Sequence, residues 1–296
     1  MGVIARFRAP DRAFVLGWAW ASLVANTVII LTGGLVRLTG SGLGCPTWPR
    51  CTEDSFVPQG ELGIHGIIEF GNRLLTYVLI AVAVATFVAV VRWAGSTPAM
   101  RRLVLVMALG IPFQGVIGGI TVLTNLNPWI VSLHLILSLG LVTASTVLVG
   151  WVRGEDRTRV PVSAHRLVVL AVVLMWVAVY LGTVVTGSGP HAGDADSPRN
   201  GLDPAAWSRL HALSVWALVL VTVLVVRAVW STAARRAAIV LLAVELAQGA
   251  IGYVQYLTDL PVALVAAHLV GAAVLVAAAT RLMAGVRSEA GARALA

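Results

Sequence analysis

Lysine is absent from this 296-residue chain, cysteine occurs twice, and charged residues of both signs make up only 11% of it. Soluble domains carry about 25% charged and about 45–50% apolar residues. Here 58% are apolar, which excludes an ordinary water-soluble globule. Disorder is excluded too, because it needs low hydrophobicity and high net charge. Two cysteines are too few for a disulfide scaffold, so the placement of Cys45 and Cys51 must carry their meaning. With no lysine, the net charge of +8 rests on 21 arginines. They are scattered between long apolar runs and form no single patch. That speaks against a nucleic-acid partner and for a polytopic protein of the lipid bilayer whose positive charge sorts to one side.

A bilayer core needs roughly 20 mostly apolar residues in a helix. Eight such runs are present, at about 13–37, 66–91, 103–124, 128–152, 166–187, 207–230, 236–257 and 261–283. The first is too long for a signal-peptide core and is read as a retained span. Arginines precede run 1, lie between runs 2 and 3, 4 and 5, and 6 and 7, and follow run 8 at Arg281, Arg287 and Arg293. The opposite loops carry acids, among them Glu53, Asp54, Glu61, Asp194, Asp196 and Asp203. The positive-inside rule then puts both termini in the cytoplasm of a cell-membrane protein. The long loops at about 38–65 and 188–206 face outward. Cys45 and Cys51 share the first of these, where a disulfide is permitted; free thiols are the alternative.

The chain reads as duplicated. Thr39-Gly40-Ser41-Gly42 after run 1 matches Thr186-Gly187-Ser188-Gly189 after run 5. Gln114-Gly115-Val116-Ile117-Gly118 in run 3 matches Gln248-Gly249-Ala250-Ile251-Gly252 in run 7. Each of the latter is followed by a histidine in the next run, His134 or His268, and a proline, Pro128 or Pro261, opens that run. The expected fold is therefore an all-α membrane protein of eight transmembrane helices. They form two tandem four-helix bundles, 1–160 and 161–296, related by a pseudo-two-fold axis.

Ionisable residues inside a membrane are costly and usually functional. His65, His134, His211 and His268 sit at or near the outer ends of the even-numbered runs. A lone histidine in a helix is ordinarily a neutral imidazole bonded to its neighbour. The shared depth of His211 and His268 instead suits two imidazoles gripping a haem iron from both sides of a bundle. Zinc suits them less, because it usually takes three or four protein ligands. In run 2, residues 65, 69, 72, 73 and 76 share one helical face. That face carries His65, Glu69, Asn72 and Arg73, and an i,i+4 ion pair between Glu69 and Arg73 is its plain structural reading.

At these residues the chain resembles the haem A synthase family over almost its full length. The likeness rests on Gly33-Gly34-Leu35-Val36-Arg37-Leu38-Thr39-Gly40-Ser41-Gly42-Leu43-Gly44-Cys45-Pro46, continuing through Trp48-Pro49 to Cys51. The Glu69-to-Arg73 segment and the histidines of runs 4, 6 and 8 complete it. That family converts haem O to haem A by oxidising a porphyrin methyl group to a formyl. The resemblance implies a resident haem b held by His211 and His268. It implies a substrate haem O in the first half with His134 on its iron, Glu69 as the catalytic carboxylate, and a disulfide between Cys45 and Cys51. Arg37 and Arg73 would pair with haem propionates. The implied partners are haem O from a haem O synthase, the bilayer and an electron acceptor; self-association stays open. One departure stands out. The family commonly has Glu-x-x-His-Arg on run 2, and here Asn72 occupies the histidine position. His65 is roughly 10 Å away along the helix, so it is expected to line the outer rim while the substrate iron is weakly liganded. The rival readings are a di-haem b-type electron carrier linked to quinone, which needs two complete histidine pairs, and a small-molecule transporter.

Overall fold

The computed structural model describes residues 3–289, so Arg293 lies outside the described residues. A short helix α1 (Val3–Arg8) precedes the eight long ones. These are α2 (Arg12–Leu38), α3 (Gly63–Arg92), α4 (Pro98–Leu123), α5 (Pro128–Arg153), α6 (Val162–Ser188), α7 (Pro204–Ala228), α8 (Arg235–Leu257) and α9 (Val262–Ala284). Each is long and apolar enough to cross a membrane, and the protein is an all-α multi-pass membrane protein. Every expected run is a helix, with ends extended or shifted by a few residues.

Helix ends follow local chemistry. The Asp11 carboxylate accepts the Phe14 amide at 2.7 Å and opens α2. Thr97 does the same for Met100, with Pro98 in the first helical position. Both groups satisfy amides that a helix start leaves orphaned. Pro128 opens α5, whereas Pro261 stands just outside α9 as its cap residue.

The α4–α5 and α8–α9 turns share one unusual backbone. Asn125 and Leu126 have φ of 51° and 59°, and Asp259 and Leu260 have 59° and 58°. In each turn the leucine amide reaches back to the same kind of acceptor, Leu126 to the Thr121 carbonyl at 2.7 Å and Leu260 to that of Gln255 at 2.8 Å. Left-handed non-glycine residues are uncommon, so finding the same pair twice repeats the sequence duplication at the level of backbone.

Two compact units exist. The first runs to Val152 and includes Thr186–Pro204, which holds the end of α6 and the α6–α7 loop; the second comprises Arg153–Val185 and the chain from Ala205. In the first, Val15, Ala19, Ala89, Val104, Leu148 and Val152 form a buried apolar cluster. Large apolar side chains such as Leu105, Val106 and Leu109 point outward, as lipid contact allows and water does not. The α6–α7 loop is tied to the α2–α3 loop by Gly42 N–H donating to the Gly193 carbonyl at 2.8 Å.

The second unit contains an element that hydropathy did not suggest. Strands β1 (Thr158–Val160) and β2 (Val286–Ser288) pair in parallel. Beside them, Arg281 grips Glu155 through both carboxylate oxygens, at 2.9 and 3.0 Å. Partial burial raises the Glu155 pKa, but the hydrogen bonds and charges of Arg281 and Arg153 outweigh it and hold the carboxyl below its usual range.

Candidate functional site

The first unit places its polar residues under the disulfide loop. Cys45 and Cys51 are bonded, with Cα atoms 4.4 Å apart. Glu69 on α3 is only 5% exposed. One carboxylate oxygen accepts the Cys45 amide at 2.6 Å, and the other accepts Arg73 through Nε at 3.1 Å and through Nη2. Arg73 continues to the carbonyls of Cys45 at 2.9 Å and Arg50 at 3.1 Å. The plain i,i+4 ion pair expected from sequence is therefore present, and it also latches the disulfide loop to α3. A buried carboxylate needs such donors, because an unpaired charge in a low dielectric is expensive.

The loop closes over neighbouring helices as well. The Trp48 ring lies where any side chain at Gly119 of α4 would stand, and the His65 carbonyl does the same at Gly44. His65 itself is exposed, and its Nδ1 is 2.9 Å from the Ser41 hydroxyl, which is 2.9 Å from that of Thr39.

Four donor positions share one local arrangement. His134 on α5 faces Gly118 of α4, where an added Cβ would stand 3.5 Å from the ring. His211 on α7 faces Gly182 of α6 at 3.2 Å, and His268 on α9 faces Gly252 of α8 at 3.3 Å. Asn72 on α3 faces Gly33 of α2, with its amide nitrogen 3.9 Å from such a Cβ. Asn72 thus holds, in its own helix pair, the kind of place that histidine holds in the other three. Each glycine keeps open the space that a larger side chain would fill.

The hydrogen-bond state of these groups is informative. His211 donates from Nδ1 to the Ala178 carbonyl at 3.0 Å, which leaves the Nε2 lone pair open. His268 lies within electrostatic reach of His211. Buried polar atoms rarely go unpartnered, yet Nδ1 of His134 and Oδ1 of Asn72 do, whereas His268 has the Gln248 backbone as a partner. A bound group with an imidazole-seeking metal centre fits this donor set. Among the described residues, no group of three or more His, Cys, Asp or Glu is placed to hold a bare ion.

Sequence reading missed several residues. Gly118 and Gly252 stand in the sequence only as parts of a repeated motif; the structure adds the histidines they face. Gln114 donates to the His134 carbonyl at 3.3 Å, and Gln248 overlies Gly271. Glu245, 1% exposed in the middle of α8, accepts the Thr222 hydroxyl at 2.8 Å, and its second oxygen has no partner. A lone acid inside an apolar run was the available signal. Arg37 donates to the Thr186 carbonyl at 2.7 Å, near the end of α6.

A family model described as cytochrome oxidase assembly protein matches residues 17–196. Three curated relatives carry the name heme A synthase. That of Geobacillus thermodenitrificans is 32% identical over 113 residues, 38% of this chain and 34% of its own. That of Methylobacterium radiotolerans is 30% identical over 223 residues, 62% of this chain and 59% of its own. That of Shewanella oneidensis is 30% identical over 190 residues, 56% of this chain and 53% of its own. The chain thus spans between about a third and three-fifths of the length of these relatives. The matched stretch holds the glycine-rich outer run, the disulfide loop, Glu69 and His134, and with it the chain belongs to the haem A synthase family of cytochrome oxidase assembly proteins.

Proposed function

We propose that the protein is a haem A synthase, a membrane oxidoreductase that converts haem O to haem A by oxidising a porphyrin methyl group to a formyl. The observation that carries this reading is the set of three histidines and Asn72, each lodged opposite a glycine, with unpartnered donor atoms among them. The relatives of the same name support it. The functional halves are 1–160, holding the substrate haem O, and 161–296, holding a resident haem b.

His211 and His268 would hold the haem b iron, each by one imidazole nitrogen. That group, when bound, supplies one-electron transfer between the substrate site and an outside acceptor. In the first half, His134 would ligate the iron of haem O on one side. Asn72 is a poor iron ligand, so the other side is weakly held and its carboxamide donates or accepts a hydrogen bond near the porphyrin. The disulfide loop, latched by Glu69 and Arg73 and seated by Trp48, would cover the substrate. Glu69 is the catalytic carboxylate: it would take up protons released as the methyl carbon gains an oxygen from water and gives its electrons to the outside acceptor. Arg73 orients Glu69 and, with Arg37, meets anionic propionates. Both termini face the cytoplasm, and the disulfide loop faces outward.

The test is an optical spectrum of purified protein followed by extraction of its haem after co-expression with a haem O source. A low-spin bis-imidazole signal and a formyl-bearing haem are expected. Glu69→Ala should keep the signal and lose the product. A normal signal with no formyl haem from the wild type would leave a di-haem electron carrier as the better reading. A colourless protein would remove both.

A further inference from the structure

A cleft of about 330 Å³ opens between the outer end of α2 and the second outer loop. Its walls include Arg37, Thr39, His191, Asp194 and Arg199. Two arginines line it together. Arg37 donates to the Thr186 carbonyl, and Arg199 to the carbonyls of Ser197 at 2.7 Å and Pro190 at 2.8 Å. Carbonyls fix their direction without cancelling charge. Arg37 Nε is buried and has no partner, and the two arginines are close enough to repel each other. Asp194 is the acid of the cleft lining, but its Oδ1 accepts the Asp196 amide, and neither arginine has an ion pair among the described residues.

Like charges held together cost energy that a bridging anion recovers. The planar fork of arginine matches carboxylate and phosphate oxygens. The backbone keeps the space clear. Gly193 has φ of 103°, and a Cβ there would collide with Leu126 and stand 3.5 Å from Arg37 Cγ. The volume suits an anionic headgroup or side chain and lies at the small end of ligand sites.

We propose that Arg37 and Arg199 form an anion site for the carboxylate or phosphate of an amphiphile at the outer membrane surface. Two sources share this chemistry, a porphyrin propionate and a lipid phosphate. Only the first rests on the function proposed above. The second outer loop thereby supplies a binding residue to the first unit that its own four long helices lack.

The experiment measures binding to the full-length protein in detergent or nanodiscs by tryptophan fluorescence. The probes are inorganic phosphate, phosphatidylglycerol against phosphatidylcholine, and metal-free protoporphyrin against its dimethyl ester. Arg199→Gln should weaken at least one anionic probe on the order of 10-fold, the scale of a charge-assisted hydrogen bond. Arg199→Lys should keep part of the affinity, and Asp194→Asn, which removes the cleft's acid, should tighten it. Neutral counterparts should not respond. A loss confined to phosphatidylglycerol assigns the site to lipid, and one confined to protoporphyrin assigns it to porphyrin carboxylates. Equal affinity of wild type, Arg199→Gln and Asp194→Asn for every probe would overturn the proposal. The lipid and phosphate arms are read without any haem, so they stand or fall separately from haem A formation.

Discussion

The first unit surrounds its candidate porphyrin site with a covalent loop, and the second does not. Under that loop Glu69, Arg73 and the carbonyls of Cys45 and Arg50 form one connected network. Around His211 and His268 the polar ties among the described groups are few, chiefly the Ala178 carbonyl. The donor sets differ in the same direction: Asn72 faces its glycine in the first unit where His211 faces its own in the second. A pair of strong ligands suits a group that stays, and a weak ligand with a closable cover suits a molecule that must enter, react and leave. Binding too tight for the substrate state would slow release without helping the reaction.

The largest effect should come from exchanging the differing residues. His211→Asn should abolish the resident low-spin signal, and Asn72→His should add a second one from the first unit. Optical and paramagnetic resonance spectra check both, and an unchanged spectrum in Asn72→His would break the proposed correspondence. Next, Arg73→Gln strands the Glu69 carboxylate with the Cys45 amide as its remaining donor. It should cost about 3 kcal/mol, the scale of a broken buried pair, seen as a lower thermal midpoint. Glu69→Gln should cost less, because the Arg73 cation it leaves behind is partly exposed and keeps the carbonyls of Cys45 and Arg50 as acceptors.

Replacing both cysteines by serine should cost about 2 kcal/mol by chain entropy for so short a loop. The exchange of amides around Cys45 should accelerate, while the His211 spectrum stays unchanged. The smallest effect belongs to Glu155, whose pairs with Arg281 and Arg153 are half-exposed. Its folded pKa lies below the usual glutamate range. The stabilisation is therefore complete above about pH 5 and fades as pH falls through the lower folded value. Glu155→Gln should cost about 0.2–1 kcal/mol at neutral pH and nothing measurable in acid, as thermal midpoints at the two pH values would show.

Much of the fold was legible because lipid makes hydropathy decisive. A span must be apolar for some 20 residues and must satisfy its own backbone, so eight runs became eight helices with small end shifts. The Glu69–Arg73 pair was legible because i,i+4 residues meet on any helix. Pairing of β1 with β2 was not legible, since three-residue strands carry too little pattern. Glu245 was not singled out, although its place inside an apolar run marked it.

The eight helices, the duplicated motifs and the identity of each candidate ligand follow from local sequence, because helical period and bilayer thickness act over a turn or a span. Only the folded chain decided that Glu69 takes the Cys45 amide 24 residues before it, that Trp48 seats on Gly119, and that Arg37 turns to Thr186, 149 residues on, and so meets Arg199. Those meetings depend on where loops land. Loop placement answers to hydrogen-bond partners far along the chain, which no local pattern encodes.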